Sequence, residues 1–123
     1  MAVQTTTASD PLVTKIVTDT DSDTTIETPF AVAQKLYFVE VTNPNGSAVY
    51  TKILASSGNS NSNQTQHYIQ LYCPANTTCY MYMPTSVVIA SGLQFYTSVN
   101  AGTVNSQTNP TDNVIVKLGA TPN

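Results

Sequence analysis

The sequence contains no arginine and no tryptophan, and only four lysines among its 123 residues. Charged residues make up 9% of the chain, far below the roughly 25% of an ordinary soluble domain. With a net charge of -3, the chain offers no basic patch that could neutralise the phosphates of a nucleic acid. Nucleic acid is therefore not an expected partner.

Long apolar runs are missing as well. A membrane-spanning helix needs about 20 consecutive apolar residues, and the sequence has no run of that length. The first residues, Met1–Thr6, have neither the basic nor the apolar region of a secretory signal. The sequence therefore predicts no membrane partner, and nothing in it indicates export through a signal peptide.

Residues for catalysis or metal binding are scarce. His67 is the only histidine, and no Gly-x-Ser-x-Gly motif accompanies it. One histidine and two cysteines also lack any recognised zinc spacing. We therefore expect no enzyme activity, no metal site and no cofactor, and we interpret His67 as an ordinary surface residue.

An acidic cluster, Asp19, Asp21 and Asp23, matches the opening of a calcium-binding loop, whose ligands fall at alternate positions. The match then ends, because Thr24 stands where the loop needs glycine and Phe30 where it needs a bidentate glutamate. A solvated acidic turn is the favoured interpretation, with a non-standard cation site as the alternative.

Short runs of Val, Ile, Leu and aromatic residues recur every 8–12 or so residues, with turn residues between them. No stretch has a helical period. This pattern predicts an all-β fold, an antiparallel β-sandwich of jelly-roll-like or Ig-like type. We expect one domain over residues 12–123 and an extended N-terminal arm over residues 1–11. That arm is either a frayed terminus or a segment that orders against a neighbouring subunit.

The strongest local signal is the turn Asn43–Gly46 between the apolar runs Lys35–Thr42 and Ser47–Ala55. Proline and glycine in the turn favour a tight reversal. The pattern therefore predicts an antiparallel hairpin of these two runs.

A second hairpin is predicted between His67–Cys73 and Cys79–Met83, with Pro74–Thr78 as its turn. Leu12–Val17 is a further strand candidate.

The period of two also predicts which side chains face the core. In the first hairpin, Glu40 and Lys52 should point to water. The predicted inward residues are Tyr37, Val39, Val41, Val49, Thr51, Ile53, Ile69, Leu71, Cys73, Val114, Val116 and Leu118.

Cys73 and Cys79 flank the second turn, where opposed residues come within disulfide reach. A disulfide closing this small loop and a pair of free thiols in a reducing cytoplasm are the two alternatives.

The tyrosines that alternate with the inward residues form a candidate exposed stripe across the same hairpin. It consists of Tyr68, Tyr72, Tyr80 and Tyr82. Such a stripe could pack at a subunit interface, stack on sugar rings, or simply stabilise the sheet.

Gln34–Asn43 followed by Ala48–Leu54 resembles a pattern frequent in small tailed-bacteriophage structural proteins. In that pattern a Leu-Tyr start leads through a Val-rich strand and a short turn to a Val-Tyr strand with a lysine. Cys73–Thr78 and Ile89–Tyr96 fill its later positions in the same order, and the resemblance extends to Leu118. The long Ser/Asn loop and the cysteine pair depart from it.

The resemblance implies a non-enzymatic capsid cement or decoration protein, since some members of this group are similar to such proteins. It implies a location on the capsid surface of the virion, assembled in the host cytoplasm, with the major capsid protein as partner. A homo-oligomer such as a trimer is expected. The alternatives are a tail, fibre or connector subunit and, in a different class, a carbohydrate-binding β-sandwich module.

Overall fold

Nine antiparallel strands build the part of the chain that the computed structural model describes, namely residues 3–7, 15–62, 67–102 and 106–123. They are β1 Val3–Thr7, β2 Lys15–Ser22, β3 Glu27–Phe30, β4 Gln34–Asn43, β5 Val49–Leu54, β6 Ile69–Cys73, β7 Thr77–Ile89, β8 Leu93–Ser98 and β9 Val114–Pro122. The described residues include no α-helix. Nor do they include a helix long and apolar enough to cross a membrane.

The strands form two sheets, one with the order β1-β2-β9-β4-β7 and one with the order β3-β8-β5-β6. The all-β sandwich is therefore confirmed. From β2 onward, nearly every connection carries the chain from one sheet to the other. This is the connectivity of a jelly roll and not of an Ig-like sandwich. The core lies between the sheets, where the apolar faces of both meet.

Both predicted hairpins are wrong in the same way. β4 pairs with β7 and β9, whereas β5 pairs with β6 and β8 in the other sheet. Likewise β6 and β7 belong to different sheets. Each turn therefore carries the chain across the core from one sheet to the other. A tight turn between two apolar runs is compatible with either connection, so the local sequence does not distinguish them.

Most of the predicted inward side chains do face the core. Val39, Val41, Val49, Thr51, Ile53, Cys73, Val114, Val116 and Leu118 are buried, and Ile69 and Leu71 pack against them. Tyr37 is the exception, because the register of β4 shifts between Leu36 and Phe38. This bulge places Leu36 in the core and leaves Tyr37 half-buried.

The prediction that Lys52 points to water is wrong, because its side chain is buried. It points to the outer face of the four-stranded sheet, which polar loops cover. Both faces of β5 and β8 are consequently buried along most of their length.

The turn Asn43–Gly46 is a connection held by amide side chains. Nδ2 of Asn43 donates to the carbonyl oxygens of Ser47 at 2.9 Å and Pro74 at 3.0 Å. Its Oδ1 accepts the backbone N–H of Asn45 at 3.0 Å. The Asn45 side chain in turn donates to and accepts from the backbone of Asp112. Two buried asparagines thus hold three loops together at one end of the sandwich.

Part of the predicted N-terminal arm is a strand, since Val3–Thr7 pairs with β2 of the same chain. The remainder, residues 1–2 and 8–11, lies outside the described residues, as do Leu12–Thr14 of the strand candidate. The remaining residues of that candidate, 15–17, are the first residues of β2. A boundary at residue 11 stays a prediction.

Candidate functional site

The four tyrosines predicted as an interface are, together with Val32 and Val88, the exposed large hydrophobic side chains of the described residues. Tyr68 is 59% exposed, Tyr72 52%, Tyr80 54% and Tyr82 68%. Because the residues that alternate with them face the core, their rings project outward from β6 and β7. Their role at an interface stays a prediction.

These tyrosines do not form one stripe. β6 is an edge of the four-stranded sheet and β7 an edge of the five-stranded sheet. Since the inner faces of the two sheets meet in the core, Tyr72 and the pair Tyr80 and Tyr82 point from opposite sides of the sandwich. The structure therefore separates them into two aromatic patches.

The first patch lies on the outer face of the five-stranded sheet. The rings of Tyr80 and Tyr82 stack, with centroids 5.8 Å apart and planes 10° apart. The ring centroids of Phe38 and Tyr82 are 6.3 Å apart. The Phe38 ring also extends over Gly119, where a Cβ atom would overlap it. Because Gly119 has no side chain, Phe38 can lie flat against the sheet beside the two tyrosines.

The second patch lies on the outer face of the four-stranded sheet. Tyr50 and Tyr72 are directly opposite in the β5–β6 ladder, and their ring centroids are 5.5 Å apart with a tilt of 51°. Such cross-strand aromatic pairs stabilise a sheet by about 0.2–1 kcal/mol. The sequence indicated Tyr72 but not Tyr50, whose partner is visible only from the register.

Next to the second patch, Lys52 anchors a loop. Its Nζ donates to Ser98 Oγ at 3.0 Å, to the carbonyl oxygen of Asn100 at 2.5 Å and to Gln107 Oε1 at 2.8 Å. The ammonium group also lies 5.3 Å from the centroid of the Tyr96 ring. Three neutral oxygens thus use all three of its donors. Burial lowers the pKa of Lys52 from 10.5 to about 8.

The Ser/Asn-rich loop after β5 docks on the same outer face. Gln94 Oε1 accepts the backbone N–H of Asn59 at 3.2 Å, and Gln94 Nε2 donates to the Asn59 carbonyl oxygen at 3.0 Å. The loop is therefore held against β8 at Asn59. Residues 63–66 lie outside the described residues.

Asp19 is the least expected feature of the acidic cluster. Its side chain is fully buried on the inward face of β2, next to Val17, and is not part of a solvated turn. Oδ1 accepts the backbone N–H of Asp21 at 3.1 Å, while Oδ2 has no hydrogen-bond partner among the described residues. Burial, together with the nearby carboxylates of Asp21 and Glu27, raises the pKa of Asp19 from 3.8 to about 7.

No group of three or more His, Cys, Asp or Glu residues within the described ranges is arranged to hold a metal ion. The cation-site alternative for Asp19, Asp21 and Asp23 thus gains no support from their placement.

Cys73 and Cys79 are free thiols in this structure, the first buried and the second half-buried. Cys73 Sγ donates to the carbonyl oxygen of Thr77 at 3.2 Å. Burial, reinforced by contact with the Cys79 thiol, raises the pKa of Cys73 to about 12. A thiol held protonated in this way is a poor nucleophile. The disulfide between the two stays a prediction.

His67 is half-buried and precedes β6. Burial lowers its pKa, as does the positive charge of nearby Lys52. Its Nδ1 is buried and has no hydrogen-bond partner in the described part of the chain. No acid or nucleophile hydrogen-bonds to this ring there, so the arrangement does not resemble a catalytic triad.

Comparison with models of protein families finds no match for this chain. A comparison with curated proteins finds no match either.

Three solved structures show a loose likeness. The coat protein of Tobacco streak virus aligns over 87% of this chain and 85% of its own, with 10% identity and a TM-score of 0.39. The cupin domain of Schizosaccharomyces pombe Cnp3 aligns over 98% of this chain, with 5% identity and a TM-score of 0.35; this chain spans 60% of its length. The structure of infectious bursal disease virus Gx strain aligns over 96% of this chain and 32% of its own, with 12% identity and a TM-score of 0.28. At these TM-scores, none of the three bears on function.

Proposed function

We propose that the protein is a non-enzymatic structural component of a phage virion that binds the outside of the capsid shell and stabilises it. The observation that carries the proposal is the outer surface of the sandwich. Two aromatic patches, Tyr80 with Tyr82 and Tyr50 with Tyr72, lie on opposite outer faces of the sandwich, in a chain of which only 9% of the residues are charged. Tyrosine combines a large apolar ring with a polar group, and it is enriched where protein surfaces meet.

The sequence resemblance adds the virion context. The first part of the resemblance corresponds to β4, the turn Asn43–Gly46 and β5. β4 is an inner strand of the five-stranded sheet, and β5 is an inner strand of the four-stranded sheet. The jelly-roll fold is compatible with this function but does not select it, because viral capsid proteins, lectins and cupins share that fold. The partner would be the major capsid protein, and the protein would act as a homo-oligomer on the shell.

The mechanism is mechanical. Many weak contacts from the tyrosine patches and the polar loops bridge neighbouring capsid subunits, so that internal pressure must break all of them together. A surface with 9% charged residues suits this packing, since neighbouring copies would not repel one another strongly.

The test uses purified protein and shells assembled without it. We expect the protein to sediment with the shells and to raise the temperature at which they open. The double variant Tyr80→Ala/Tyr82→Ala should lose most of this binding, whereas Thr18→Ala, on the same outer face, should retain it. Wild-type protein that neither binds the shells nor raises their heat resistance would rule out cementing. Labelling at the tail instead of the shell would favour a tail, fibre or connector subunit.

A second candidate is a carbohydrate-binding module, because the stacked and exposed Tyr80 and Tyr82 could also stack on sugar rings. Glycan-array binding that disappears in Tyr80→Ala/Tyr82→Ala, together with no binding to shells, would favour this function over the first.

A further inference from the structure

One edge of the sandwich is unusually open to pairing. β7 is the last strand of the five-stranded sheet, and within the described ranges its only strand neighbour is β4. It extends over 13 residues, Thr77–Ile89, without a single charged side chain. Edge strands of soluble proteins are normally short, charged or covered, because an open ladder of N–H and C=O groups pairs with other chains.

The inward side chains of β7 also indicate an unfinished edge. Cys79, Met81 and Met83 pack against the core but remain half-exposed, whereas the inward residues of central β4 and β9 are buried. Ile69 and Leu71 of β6, at the same side of the sandwich, are likewise only partly buried. The inward side chains along these two edge strands are thus incompletely buried in the single chain.

Proline does not protect the segment that would pair. Pro84 lies beyond the regular part of the strand, since the β4–β7 ladder is continuous from Thr77 to Tyr82 and resumes at Val87. Proline therefore limits the length of an added ladder without blocking Cys79–Met83.

The order of side chains along this edge suits a second copy of the same strand. Cys79-Tyr80-Met81-Tyr82-Met83 alternates in the same way in both directions. In an antiparallel pair centred on Met81, Tyr80 would oppose Tyr82 of the second copy, and Cys79 would oppose Met83. Every aromatic residue then meets an aromatic residue, and every inward residue meets an inward one. A contact around a two-fold axis requires this self-complementarity.

We propose that the protein forms a two-fold dimer in which β7 pairs antiparallel with β7 of a second copy, centred on Met81. The dimer joins the two five-stranded sheets into one and merges their tyrosine patches. The inference rests on the homo-oligomer part of the proposed function and is independent of shell binding.

Electrostatics do not oppose this dimer. The charged residue nearest to the pairing segment is Glu40, which faces Tyr80 from the neighbouring strand. Two β7 strands would separate it from Glu40 of the second copy, a distance of at least roughly 14 Å at the usual strand spacing. At physiological ionic strength charges interact over about 8 Å, so their repulsion would be weak.

The first experiment measures mass in solution by analytical ultracentrifugation over a range of concentrations. Wild-type protein should be a dimer, and Tyr80→Lys/Tyr82→Lys should weaken the dimer at least tenfold, because like charges would face each other across the axis. The matched control is Thr20→Lys/Val32→Lys, which places two new charges at exposed positions away from β6 and β7 and should leave the dimer unchanged. Circular dichroism checks that all variants retain the β-sheet fold.

The second experiment tests the register. Met81→Cys should form an intermolecular disulfide under mild oxidation, because a residue on the axis faces its own copy with Cα atoms about 4.5–5.5 Å apart. Wild-type protein should not, since its Cys79 would face Met83. A monomer, a trimer, or a dimer that survives Tyr80→Lys/Tyr82→Lys would overturn the inference, as would Met81→Cys that stays unlinked. A dimer that fails to bind shells would leave it standing and refute the proposed function alone.

Discussion

Asp19 places a carboxyl group in the core with only one of its two oxygens hydrogen-bonded within the described residues. The folded state holds the proton up to about pH 7, whereas the unfolded chain releases it near pH 3.8. Between these values the folded state binds more protons, so stability must fall as pH rises, and the loss is complete above about pH 7. The contribution of Asp19 therefore makes the fold more stable in mild acid than in mild base.

Asp19→Asn should remove this dependence. We expect the variant to be roughly 2 kcal/mol more stable than wild type at pH 8 and nearly equal at pH 4. Urea unfolding at pH 4, 6 and 8 measures the difference. Asp112→Asn, which changes an exposed carboxyl, serves as the control and should follow the wild-type curve. An equal gain from Asp19→Asn at all three pH values would contradict the explanation by titration.

Lys52 acts at the same scale, as an anchor for the loop after β8. Replacement by methionine keeps most of the side-chain volume but leaves the oxygens of Ser98, Asn100 and Gln107 without this donor. We expect Lys52→Met to destabilise the fold by about 1–3 kcal/mol, because it removes three hydrogen bonds from a charged donor at one buried position.

Hydrogen exchange should locate that effect. In Lys52→Met, amide protection should fall first around residues 98–100 and 106–108, while β9 should keep its protection until global unfolding. Lys117→Met, at an exposed position on β9, should change neither the exchange pattern nor the stability. Uniform loss of protection along the chain would show that Lys52 does not act through the loop.

At the scale of elements, the turn Asn43–Gly46 decides how β4 and β5 are connected. Asn43 holds it through bonds to the carbonyl oxygens of Ser47 and Pro74 and to the N–H of Asn45. Asn43→Ala should cost about 2–4 kcal/mol, because it removes several buried hydrogen bonds at one position. Thermal unfolding measures the loss, and Asn113→Ala, at an exposed position, is its control. A change below about 0.5 kcal/mol, as at ordinary surface sites, would contradict this role.

A further turn has the same function between β7 and β8. Ser91 and Gly92 both have positive φ, and a Cβ at position 92 would lie 2.8 Å from Cβ of Ser57. Glycine at 92 satisfies the backbone angle and the close approach together. Both connections cross between sheets, so the elements depend on residues at their ends as well as on their apolar faces.

At the scale of the whole molecule, the low charge leads to a prediction about binding. If neutral contacts hold the protein on a shell, affinity should change less than about threefold between 50 mM and 500 mM salt, because screening acts on charges alone. Sedimentation of the protein with shells at each salt concentration measures this. A steep loss of binding with salt would show that the charged residues, few as they are, carry the contact.

Much of the fold follows from local patterns. The alternation of Val114, Val116 and Leu118 predicted their burial, and Val49, Thr51 and Ile53 behaved in the same way. The bulge at Tyr37 was not predictable, since it depends on two neighbouring strands that come from distant parts of the chain. The candidate surface was predicted in part: all four tyrosines are exposed, but their division into two patches depends on which sheet each strand joins.

The sequence by itself determined that the chain is an all-β sandwich with a neutral surface, because composition and a period of two depend only on neighbouring residues. Only the tertiary structure decided that the turn Asn43–Gly46 joins two sheets and not two paired strands. It also decided that Asp19 and Lys52 are buried and that β7 is an open edge. Pairing and burial arise from contacts between distant segments, and a local pattern allows more than one set of such contacts.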